Sequence, residues 1–62
     1  MTASLASVIR AHVEEDRGIW KVWVNDRDFG AIREALARVE RRKFALDFSA
    51  RIPRGCYRIE HD

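Results

Sequence analysis

Hydrophobic and polar positions follow different periods in different parts of the chain. In Gly18-Ile19-Trp20-Lys21-Val22-Trp23-Val24 the residues are dense in β-branched and aromatic side chains, the mark of a strand. A strand sends alternate side chains to opposite faces of its sheet. Trp20, Val22 and Val24 then share one face, while Ile19, Lys21 and Trp23 share the other. From Asp28 to Arg42 the period changes: Phe29, Ile32, Leu36 and Val39 recur at helical spacing, with Ala35 on the same stripe. Asn25, Asp26 or Asp28 can cap the start of that helix, and Arg41, Arg42 and Lys43 stand where its dipole favours cations.

Two short segments share a turn signal. Arg17-Gly18 and Arg54-Gly55 each precede a β-rich run headed by an aromatic. Each fits a type I turn followed by glycine in the left-handed region, which closes a three-residue hairpin. Pro53, with its φ already set, suits the second turn position. The first hairpin would set Val13 opposite Trp20, Ala11 opposite Val22 and Ile9 opposite Val24. The second would pair Ala50 with Tyr57 and Phe48 with Ile59, with Leu46 and Phe44 continuing that face. A slip by one residue would scatter these apolar positions, so the register is internally consistent. Residues 5–13 carry both periods, because Leu5, Val8, Ile9, His12 and Val13 also fit an amphipathic helix that Ser4 could cap. The preferred architecture is α+β: a four-stranded antiparallel sheet with one helix on one face (ββαββ). The alternative is αβαββ with an N-terminal helix.

Size and composition narrow the functional classes. Sixty-two residues, 47% hydrophobic and 35% charged, describe a single small folded domain over 1–62. A core of this size contributes only ~3–5 kcal/mol, so a partner subunit is a natural further stabiliser and a homodimer is one expectation. Cys56 is the only cysteine, which excludes an internal disulfide and fits a reducing compartment. The first residues lack the pattern of a signal peptide, and no apolar run reaches membrane-spanning length, so the expected location is cytoplasmic. The net charge of +2 comes from 12 basic and 10 acidic residues interleaved, far from the massed cations of a dedicated nucleic-acid binder.

Candidate chemistry is sparse. His12 and His61 lie beside carboxylates, but without spacing that assembles a closed metal site. No phosphate loop, nucleophile elbow or cysteine pair occurs, and Cys56 reads as a plain strand residue. The expectation is therefore a non-enzyme with no cofactor and no metal. On the hairpin reading, one sheet face has no helix over it and carries Arg10, His12, Lys21 and Trp23, with Trp23 opposite Arg10. Arg51, Arg54 and Arg58 gather at the second hairpin tip as auxiliary anchors. An aromatic rimmed by cations suits a protein–protein hot spot, and suits nucleic-acid bases second. Size points to regulators, inhibitors and assembly subunits, including those carried by phages and mobile elements, of which anti-CRISPR proteins are one example.

Overall fold

The computed structural model describes residues 4–37 and 44–62. The element order is α1 (Leu5–Glu15), β1 (Ile19–Val24), α2 (Asp26–Leu36), β2 (Ala45–Phe48) and β3 (Tyr57–His61). This is an α+β domain in the αβαββ order, with three strands rather than four. The sheet order is β2-β1-β3; β1 pairs with β2 in parallel and with β3 antiparallel.

Residues 5–13 are helical, so the first hairpin does not form. Ser4 caps α1, its side chain accepting a hydrogen bond from the Ser7 amide at 3.2 Å. Ile9 is fully buried, and Leu5, Ala6 and Val13 pack beside it, the i, i+4 stripe of an amphipathic helix. Ala11, which the strand pairing would have buried opposite Val22, is exposed. Coverage explains the outcome. Three strands about 4.8 Å apart form a surface wider than one helix of about 10 Å diameter can shield. With α1 beside α2, the inner face closes over a core of Ile9, Ile19, Val22, Val24, Ile32 and Leu36.

The second hairpin does not form either. β2 and β3 flank β1 instead of pairing with each other, with Val22 opposite both Leu46 and Ile59. The segment between them must therefore cross the end of β1. It is pinned there by the Ser49 amide donating to the Val24 carbonyl at 2.9 Å and by Asn25 Nδ2 donating to the Ile52 carbonyl at 2.7 Å. Its tip is a turn closed by the Cys56 amide on the Pro53 carbonyl, so Pro53 stands first in the turn, not second. Gly55 takes φ 79, the left-handed conformation that the third position of a type II turn requires.

Asn25 is the cap of α2, its Oδ1 accepting from the Arg27 amide at 2.8 Å. The helix begins at Asp26, two residues ahead of the expected start, and Phe29, Ile32 and Leu36 pack inward as the spacing required. Val39 and the cations Arg41, Arg42 and Lys43 lie outside the described residues.

One irregularity decides where the tryptophans go. The pairing of β1 with β3 shifts between Ile19, opposite His61, and Lys21, opposite Glu60. Trp20 is the extra residue of a β-bulge, so alternation breaks there. Ile19 returns to the inner face and is 5% exposed, while Trp20 is 44% exposed. Sequence alternation had assigned these two residues the other way round.

Candidate functional site

The outer face of the sheet carries the candidate site. Alternation along the paired strands places Lys21 and Trp23 of β1, Ala45 and Asp47 of β2, and Arg58 and Glu60 of β3 opposite the helix-covered side. Lys21 joins the two tryptophans: its Nζ lies 5.0 Å from the Trp20 ring centroid and 4.9 Å from that of Trp23. Both distances are within cation–π range. The same ammonium reaches Asp47 Oδ2 at 3.4 Å. Trp23 is fixed from the other side, its Nε1 donating to Glu60 Oε1 at 3.0 Å. The indole is thus half-buried and held by hydrogen bonding and packing, whereas Trp20 stands more open at the bulge.

Of the residues expected to form the site, Lys21, Trp23 and Arg58 are brought together, with Arg58 directly opposite Trp23 on β3. Arg10 and His12 are not. They sit on α1, across the sheet from Trp23; Arg10 is exposed there, and His12 Nδ1 is 2.9 Å from the Tyr57 hydroxyl with the rings edge to face. Arg51 and Arg54 lie in the crossing loop. Arg54 is engaged within the fold, its guanidinium 3.0 Å from Asp28 Oδ1. Trp20, Asp47 and Glu60 complete the face without having been singled out. Alternation along β2 and β3 places Asp47 and Glu60 on this face, and only the bulge brings Trp20 to it.

Two carboxylates elsewhere are tuned by local bonds. The Gly55 amide, donating at 2.8 Å, holds the Asp28 carboxyl below its ordinary pKa, with Arg54 adding to the effect. Asp16 is held below its ordinary value chiefly by His61, whose Nε2 lies 2.6 Å away, and then by the Gly18 amide. These groups sit at the two ends of the sheet, where Asp28 ties the crossing loop to α2 and Asp16 ties the end of α1 to β3. They are structural clasps rather than parts of the outer face.

No protein-family model matches the chain, and no curated protein or solved structure matches it. Among the described residues, no helix is long and apolar enough to cross a membrane.

Proposed function

We propose that this is a small non-catalytic protein that acts by protein–protein contact, as a regulator, an inhibitor or an assembly subunit, through the sheet face centred on Trp23. One observation supports this reading above the others: both helices cover the same side of the sheet, while the far side presents Lys21 set between two tryptophan rings. Tryptophan is enriched among interface hot spots, and an anchor already held in place loses little freedom on binding. Charge favours a protein over a nucleic acid. The face carries both signs, Lys21 and Arg58 beside Asp47 and Glu60, and Lys21 is already paired with Asp47. A phosphate backbone would meet both signs, and its binding depends on uncompensated cations.

A photo-activated cross-linking residue at position 20, compared with one at position 10 on α1, tests the reading in the cells that make the protein. Discrete protein adducts from position 20 and none from position 10 are expected. Adducts to nucleic acid, or none at all from position 20, would overturn it. With a partner in hand, Trp23→Ala should weaken binding by roughly 2 kcal/mol or more while the far-ultraviolet spectrum is retained.

A further inference from the structure

The register of the sheet arranges the outer face in two rows. Ala45, Lys21 and Glu60 stand side by side across β2, β1 and β3, and the next row holds Asp47, Trp23 and Arg58. Building on the reading of this face as a protein-contact surface, we infer that its occupant is a second copy of this chain. The copy docks face to face about a two-fold axis running across the strands, midway between the rows.

The argument is one of self-complementarity. Rotation by 180° about that axis lays each row over the other row of the partner. Trp23 then covers the partner's Lys21, a cation on an aromatic face, and Arg58 meets the partner's Glu60; each contact occurs twice. Asp47 falls over the partner's Ala45, so no like charges meet. Stacked sheets lie about 10 Å apart with strands within about 30° of each other, a gap that arginine and glutamate side chains can bridge. Among the described residues, Arg58 makes no ion pair within its own chain, which leaves it available. The other simple two-fold, along β1 through Trp23, would bring Asp47 to the partner's Arg58 but would also place Lys21 on the partner's Lys21, and juxtaposed like charges are costly. Only the first register brings no like charges together.

Size sets the strength. Three strands about 4.8 Å apart and about five residues long give a footprint on the order of 250 Å², against about 800 Å² per partner in a standard interface. The dimer is thus of the weak, reversible class.

Sedimentation equilibrium on the purified chain tests this directly. A concentration-dependent monomer–dimer equilibrium is expected; a protein still monomeric near 1 mM, where association is worth only about 4 kcal/mol, overturns the dimer. Arg58→Glu and Glu60→Lys should each weaken self-association at least about tenfold, because each sets like charges together twice. Mixed in equal amounts, the two variants should form a heterodimer. The glutamate introduced in one then meets the lysine introduced in the other, and the unchanged Glu60 of the first meets the unchanged Arg58 of the second. A mixture that stays monomeric overturns the register. If Glu60→Lys does not fold, Glu60→Gln keeps an acceptor for Trp23 and should still weaken the dimer. Arg10→Glu on α1 should leave it unchanged, and an equal loss there would count against the face. The position-20 cross-link separates the two readings. An adduct of twice the chain mass supports the dimer; an adduct with a different protein overturns the dimer but leaves protein contact standing. Nucleic-acid adducts, or none, overturn both.

Discussion

Asn25 is buried, 7% exposed, and uses both ends of its amide. Its oxygen caps α2 and its nitrogen holds the crossing loop at Ile52. Asn25→Ala would leave the Ile52 carbonyl and the Arg27 amide without these partners, and is expected to cost about 1–3 kcal/mol, read as a lower urea midpoint. Asn25→Asp keeps the cap but turns a carboxylate oxygen toward the Ile52 carbonyl, acceptor against acceptor, so it too should fall below wild type. The cap was legible from residue type and position. The second bond was not, because it depends on a loop that arrives from 27 residues further along the chain.

At the scale of elements, α1 and the bulge carry the clearest tests. The strand and helix readings of 5–13 disagree about Ala11, which the strand buries and the helix exposes. Ala11→Glu should therefore change stability by no more than about 0.5 kcal/mol, whereas Ile9→Ala should cost about 2–4 kcal/mol, both by chemical denaturation. The bulge makes a different prediction. Removing Trp20 altogether leaves Ile19 opposite His61 and Lys21 opposite Glu60 in a regular ladder, so the deletion variant should still fold cooperatively. It should also destabilise less than Ile19→Ala, which hollows the core. A deletion that abolishes the cooperative transition would show that Trp20 is required for the fold itself.

Across the whole molecule, two clasps close the domain: Asp28 grips the crossing loop at Gly55 and Arg54, and Asp16 grips the last strand at His61. Both carboxyls titrate below their ordinary value in the folded chain. A depressed folded pKa adds stability that is fully present above the unfolded pKa of about 4 and is lost as pH falls through the folded value. Stability should thus decline on acidification below about pH 4, and Asp28→Asn should lie below wild type at neutral pH with the gap closing in acid. Denaturation curves at stepped pH check it, and a gap independent of pH would contradict it. Both groups are only partly covered, so the effect is expected to be small and reduced by salt.

The sequence by itself determined the period of the segments after residue 18, though not that of residues 5–13, and with it which side of the sheet most strand residues face. Val22, Val24, Leu46, Tyr57 and Ile59 turn inward, and Lys21, Trp23, Asp47, Arg58 and Glu60 outward, although every strand pairing differs from the expected one. Alternation is a property of the local backbone and survives a change of neighbour. Neighbours themselves were decided only in three dimensions. Residues 5–15 became a helix because the inner face needed a second cover, which left β1 central and sent the 49–56 loop across its end. The bulge at Trp20 belongs to the same class, since an extra residue in one strand is defined only by the strand beside it. That single offset buries Ile19 and brings a second tryptophan to Lys21 on the open face.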